Sequence, residues 1–275
     1  WMYLALCAKN INNTMEILLE GKNALVGGSS KGIGRAIAER LAASGANVTL
    51  MSRSEPAMAQ IVASLPTDKG QSHGYLVVNF SDFPSFKTQI DAFFAQNSID
   101  ILINNTQGPS AGSALEKEIE EYQTAFDLLF KCAVYTSGLA LNSMQKNSWG
   151  RIINIASITV REPLNYLALS NSMRSALVSW GKSLAIDIAK DNITLNSILS
   201  GYFDTERLAK LCTQKAAKLN VPVEQVRAEM EAQVPMQRIG DPEEYANLVC
   251  FLASQQASYI TGTSIPIDGG LLKSF

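Results

Sequence analysis

Three glycines, Gly28, Gly32 and Gly34, stand between a short apolar run and a stretch of helical periodicity. The run, residues 23–26 (NALV), is bounded by glycine and reads as a buried strand. Ile33, Ile37 and Leu41 then recur four apart, the apolar stripe of a helix packed on a sheet. A strand that turns through glycines into a helix aims unpaired backbone N–H groups and the positive end of the helix dipole at one point. That chemistry holds a pyrophosphate, and a Cβ at the turn would keep the phosphates away. The spacing is G-x-x-x-G-x-G rather than the commonest G-x-G-x-x-G, so an ordinary glycine-rich turn competes until the rest of the chain is weighed.

About 20 residues beyond such a loop, an acid would grip the ribose 2′-hydroxyl of NAD. This chain has Ser52 and Arg53 there, with Lys31 inside the loop. Two cations and no carboxylate suit a 2′-phosphate, which selects NADP; a pair of solvated surface cations is the alternative. Other chemistries have little to work with. A single histidine, His73, beside Gly74, leaves no basis for a histidine metal centre or a Ser-His-Asp triad, and no metal site is expected. Cys7, Cys132, Cys212 and Cys250 show no paired spacing and read as free thiols of a reducing compartment, so a cytoplasmic location is expected. A net charge of −2 supplies no basic field for nucleic acid or acidic membranes. No window reads as the ~20 apolar residues of a membrane span.

The elements that must position this loop alternate regularly. Strands are expected at residues 46–51, 74–80, 99–104, 150–157, 193–198 and 265–268, and helices at 57–65, 83–96, 119–144, 169–190 and 241–254. Strands separated by helices of this length mean βαβ units. The fold class is therefore α/β, a single-domain Rossmann-type doubly wound parallel sheet of about seven strands with helices on both faces. Residues 204–234 break the rhythm as a polar helical insert divided near Val221-Pro222. Residues 1–14 do not match the α/β rhythm of the remaining chain and read as an N-terminal extension, leaving 15–275 as the domain.

With these motifs in order, GGSSKGIGRAIA (27–38), NNTQG (104–108), GRIINIAS (150–157), SGYFDT (200–205) and RIGDPEEYANLVCFLAS…YITGTSIPIDGG (238–270), the chain resembles the short-chain dehydrogenase/reductase family, and within it the 3-oxoacyl-[acyl-carrier-protein] reductases. The resemblance implies an NADP(H)-dependent oxidoreductase that interconverts a carbonyl, or an acyl thioester bearing one, and a secondary alcohol. It gives the coenzyme pyrophosphate to Gly28, Ser30, Lys31, Gly32, Ile33 and Gly34, and the adenosine side to Asn104 and Thr106. Asn79 matches a position that bonds the adenine amine, and Ser200-Gly201 with Thr205 matches the turn that meets the nicotinamide carboxamide.

The family's acid–base group departs from its pattern here. The resemblance implies an Asn on the long helix, a Ser after the fifth strand, a Tyr that protonates the carbonyl and a Lys four residues later that lowers the Tyr pKa and holds ribose. Ser157 matches, whereas Leu129, Ser170 and Arg174 stand for Asn, Tyr and Lys. Ser170 is a far weaker acid than a phenol and shorter; Arg174 can still bond ribose hydroxyls. Tyr166, one helical turn before Ser170, and Tyr202 are the replacement phenols, with packing roles as their alternative. The expectation is an oxidoreductase with an atypical proton donor; the runner-up is a catalytically impaired NADP-binding module, a sensor or structural partner. The insert 204–234 falls where the family has its substrate lid. The helix around 125–140 is apolar on more than one side (Phe126, Leu129, Phe130, Val134, Leu139), which suggests a homo-oligomer, dimer or tetramer.

Overall fold

The structure, a computed structural model, describes residues 17–274. The expected N-terminal extension, residues 1–14, and Cys7 lie outside the described residues.

Seven strands form one parallel sheet: β1 (Asn23–Gly27), β2 (Asn47–Ser52), β3 (Gly74–Val77), β4 (Ile101–Asn104), β5 (Gly150–Ile155), β6 (Ile193–Ser200) and β7 (Ser264–Ile267). Their order is β3-β2-β1-β4-β5-β6-β7. The order reverses between β1 and β4, and in such sheets the ligand crevice opens at that switch point, beyond the carboxyl ends of the strands. Alternate residues of each strand serve two separate cores, because side chains on a strand point to opposite faces. Ala24 and Val26 of β1, with Ile101 and Ile103 of β4, join α1 (Gly32–Ala43), α2 (Glu55–Ser64) and α9 (Pro242–Leu252). Leu25 and Leu102 face the other way, onto α3 (Phe83–Phe94), α5 (Cys132–Lys146) and α6 (Ala168–Ile188).

The strands predicted at 74–80 and 99–104 are shorter than expected, because Asn79 lies past the end of the ladder and Ile99 before its start. The single helix expected over 119–144 is three pieces: α4 (Ile119–Phe126), a π-helical turn (Asp127–Lys131) and α5. A π turn inserts an extra residue into the helix and re-aims the helix beyond it. One further expectation is corrected. The continuous run Ile119–Lys146 is long and apolar enough, by length and composition alone, to cross a membrane. Its apolar side chains Leu128, Leu129, Cys132, Ala140 and Met144 are buried against the sheet, which accounts for that character in a core helix.

The insert forms α7 (Glu206–Leu219) and α8 (Val223–Gln233), parted at Val221-Pro222 as the sequence implied. The two helices share a small core of their own, Leu208, Cys212, Ala216, Val226 and Met230.

Candidate functional site: a dinucleotide cradle beside a rebuilt acid–base site

The glycine loop follows β1 and opens α1, and its shape depends on having no Cβ. Gly28 and Gly32 take positive φ, +57° and +55°, the region that favours glycine. A Cβ on Gly34 would meet the Gly28 carbonyl at 2.3 Å, and one on Gly27 the Asn105 carbonyl at 2.3 Å. Ser29 is fully buried and its Oγ accepts the Met51 N–H at 2.9 Å, tying the loop to β2. Lys31 is the N-cap of α1, yet no side chain caps the helix's first turn. An uncapped helix N-terminus behind a glycine loop fits a coenzyme pyrophosphate.

Both cations expected to meet a 2′-phosphate stand at this edge, and each has a protein partner. Lys31 pairs with Glu206 at the start of α7, and Arg53 donates to the Gln107 side chain. Thr205 lies against the loop, its methyl 3.2 Å from where a Gly32 Cβ would be, while its Oγ1 accepts the Leu208 N–H and caps α7.

Three expected cofactor residues have other primary partners. Asn104 is buried and its amide donates to Ser137 (3.0 Å) and Asn154 (2.9 Å), bonding β4 to α5 and β5. Gly201 donates its N–H to Ile267, and a Cβ there would strike Asp268 at 2.6 Å, so sheet packing demands that glycine. The Asn79 side-chain oxygen already accepts the Ser81 N–H at 3.1 Å. The residue the sequence reading missed is Asn105, whose amide donates to the Gly27 carbonyl (3.0 Å) and lies against Gly28 and Gly34. Its adjacency to Asn104 in the NNTQG motif was the available signal. Thr106 comes next in the same crevice, where Arg174 and Leu129 also project.

At the carboxyl end of β5, Ser157 caps a short turn by accepting the Thr159 N–H at 3.2 Å. Helix α6 packs against that turn and carries Ser170 and Arg174 one helical turn apart. The Arg174 Nε donates to Ser170 Oγ at 3.2 Å, and its Nη1 donates to the Ile155 carbonyl. Desolvation first, then the nearby Arg207, pulls the Arg174 pKa down to about 10. Leu129, where the resemblance puts Asn, sits on the π turn, 4% exposed, and closes the crevice with a branched hydrocarbon.

The two replacement phenols meet. Tyr166 precedes α6 on a segment held by Gly112, whose N–H donates to the Tyr166 carbonyl at 2.7 Å, and Tyr202 lies just beyond β6. Their side chains lie near enough to shift each other's titration. Burial raises both pKa values, Tyr202 to about 12; the neighbouring Tyr202 opposes the rise at Tyr166.

The sequence matches a family model described as enoyl-(acyl carrier protein) reductase over residues 28–272. It is 31% identical over 262 residues to the 3-oxoacyl-[acyl-carrier-protein] reductase FabG of Aquifex aeolicus, covering 94% of this chain and 100% of that one. The chain belongs to the short-chain dehydrogenase/reductase family. The NADPH-dependent reductase BacG of Bacillus subtilis is 32% identical over 263 residues, covering 92% of this chain and 98% of BacG. Among solved structures, L-sorbose reductase from Gluconobacter frateurii, complexed with NADPH and L-sorbose, superposes with a TM-score of 0.88 at 30% identity, covering 95% of this chain and all of that one. This short-chain dehydrogenase/reductase therefore has a seven-stranded parallel sheet and a glycine loop, and the positions where the resemblance implies Asn, Tyr and Lys hold Leu129, Ser170 and Arg174.

Proposed function

We propose that the protein is an NADP(H)-dependent oxidoreductase that interconverts a carbonyl and a secondary alcohol, with the Tyr166 phenol as its proton donor. The glycine loop carries the coenzyme reading: a helix N-terminus that its N-cap side chain leaves uncapped, behind glycines that let α1 pack backbone to backbone on the loop. Gly28, Ser30, Lys31, Gly32, Ile33 and Gly34 would hold the pyrophosphate, Lys31 and Arg53 the 2′-phosphate, and Thr205 the nicotinamide end. When bound, the coenzyme supplies the hydride.

The chain's own residues do the rest. Ser157 orients the carbonyl oxygen. Ser170 is buried and bonded to Arg174, and an aliphatic hydroxyl is a poor acid. Tyr166 is a phenol at the mouth, 41% exposed, and Tyr202 steadies the phenolate left when its proton goes to the developing alkoxide. Arg174 holds ribose. Helices α7 and α8 form the substrate lid. FabG-like relatives and the free thiols Cys132, Cys212 and Cys250 support a cytoplasmic enzyme acting on small carbonyl compounds or acyl thioesters.

Tyr166→Phe should lower kcat about 100-fold, the usual worth of a positioned acid, with NADPH fluorescence titration unchanged. Loss of activity in Ser170→Ala, with Tyr166→Phe active, would assign the proton to Ser170 instead. Tight NADPH binding with no reduction of 3-oxoacyl, enoyl, ketone or quinone substrates would favour the coenzyme-binding module.

A further inference from the structure

Three chain segments wall the mouth of the acid–base site. Residues 108–112 come after β4, residues 161–167 precede α6, and residues 202–207 lead from β6 into the first turn of α7. The first two are tied by Gly112, which donates to the Tyr166 carbonyl at 2.7 Å and accepts the Ala168 N–H at 3.1 Å. The third runs beside the second, Tyr166 and Tyr202 being near enough to shift each other's titration. Arg207 links it to the first, donating from Nη1 to the Gly108 carbonyl at 3.2 Å and from Nη2 to the Pro109 carbonyl at 3.5 Å.

These are long bonds to neutral acceptors, and they set Arg207 apart from its neighbours. Around the lid, Lys31 pairs with Glu206, Arg227 with Asp204 and Glu231, Lys215 with Glu229, Lys218 with Glu116, and Arg238 with Glu244. Among the described residues no carboxylate lies within 4 Å of Arg207 or of Arg174, and the two guanidinium groups repel each other. Arg207 is exposed, and the protein beside it lowers its pKa by desolvation. A guanidinium offers five N–H donors in a planar fork suited to a carboxylate. The nearby Arg174 lines the crevice together with Asn105 and Thr106.

We propose that Arg207 binds a carboxylate of the substrate, so that the preferred substrates are oxo acids, not neutral ketones or thioesters. The inference rests on the reductase reading above and names the substrate class for the same site. The coenzyme's phosphates are the other source of an oxyanion, and helix geometry argues against them. Successive residues on a helix diverge by about 100°. Glu206 points back to Lys31 in the glycine loop, whereas Arg207 points to Gly108 and Pro109 on the substrate wall. Arg174, on the same side, adds to a local field that draws anions in.

The test uses NADPH-saturated protein with pyruvate, acetoacetate and 2-oxo-4-phenylbutanoate, each beside its methyl ester. Binding is followed by calorimetry and turnover by NADPH oxidation. At least one acid should bind tenfold or more tighter than its ester. Arg207→Gln should erase that preference, raising the acid's KM at least tenfold and leaving the ester's unchanged, with NADPH affinity within twofold of wild type. Arg207→Lys should restore part of the preference. A melting temperature near wild type confirms that each variant is folded, and Arg207→Met serves if the Gln variant is not. Equal binding of acid and ester by wild type, or no binding of any acid, overturns the proposal. So does a loss of NADPH affinity in Arg207→Gln with the acid preference intact, which would give Arg207 to the coenzyme. Preferred binding of acids without any turnover would keep the carboxylate site and sink the reductase reading instead.

Discussion

At the scale of single residues, we propose that coenzyme choice depends on Lys31 and Arg53. Their present partners are weak competitors: the Lys31–Glu206 pair has side chains 65% and 70% exposed, and Arg53 bonds a neutral amide. Exposed pairs of this kind contribute about 0–1 kcal/mol. A doubly charged phosphate offers stronger charge-assisted bonds, about 1.5–3 kcal/mol each. Lys31→Ala with Arg53→Ala should therefore raise the NADPH Kd at least tenfold in fluorescence titration and leave NADH almost unaffected. Wild-type protein that binds NADH as tightly as NADPH would refute the assignment. Both cations were legible from residue type and spacing. Their partners Glu206 and Gln107 were not, since they lie 175 and 54 positions away.

At the scale of elements, α9 shows how a local motif becomes a stability term. Asp241 and Glu244 form a reciprocal capping box at its N-terminus, and Arg238 reaches back to both Glu244 oxygens at 2.7 and 2.6 Å. Hydrogen bonds from Arg238 first, then from the Asp241 N–H, hold the Glu244 pKa at about 2, below its ordinary 4.5. A folded value below the unfolded one stabilises the protein fully above pH 4.5 and is lost as the pH falls toward 2. The pair is 45% and 43% exposed, so solvent screening cuts the contribution to about 1 kcal/mol. In urea unfolding, Glu244→Gln should cost about 1 kcal/mol at neutral pH, and the gap should close as the pH falls to about 2. A gap that persists there would mean that the charge is not its source. The motif DPEE announced this helix start; by contrast, nothing in the composition of DLLFK marked the π turn, which packs against α6.

At the scale of the whole molecule, apolar surface remains on the outer side of α4, the π turn and α6. Phe126 stacks on Phe130 at 5.2 Å, Phe130 meets Trp180 edge-on at 6.2 Å, and Ile186 is 68% exposed. A patch of this kind on a monomer marks an interface. We propose a homo-oligomer joined there. Light scattering should return two or four times the chain mass, and Phe130→Glu should lower it without loss of NADPH binding. A monomeric wild type would remove this reading.

The sequence by itself determined the alternating α/β order and the glycine loop, and it offered Lys31 and Arg53 as coenzyme-selecting cations and Ser170 where the resemblance implies a phenol. All of these are local: they come from side-chain period, from glycine's freedom at positive φ and from residue type at a known spacing. Only the tertiary structure decided which asparagine serves the loop, because Asn104 and Asn105 are chemically identical and a strand sends neighbours to opposite faces. Asn104 turns into the core and Asn105 onto Gly27. The same holds for the meeting of Tyr166 with Tyr202 and for Arg207 across the mouth from Gly108. Those contacts exist because β4, β5 and β6 end side by side, a closeness that arises from strand pairing and that no spacing along the chain encodes.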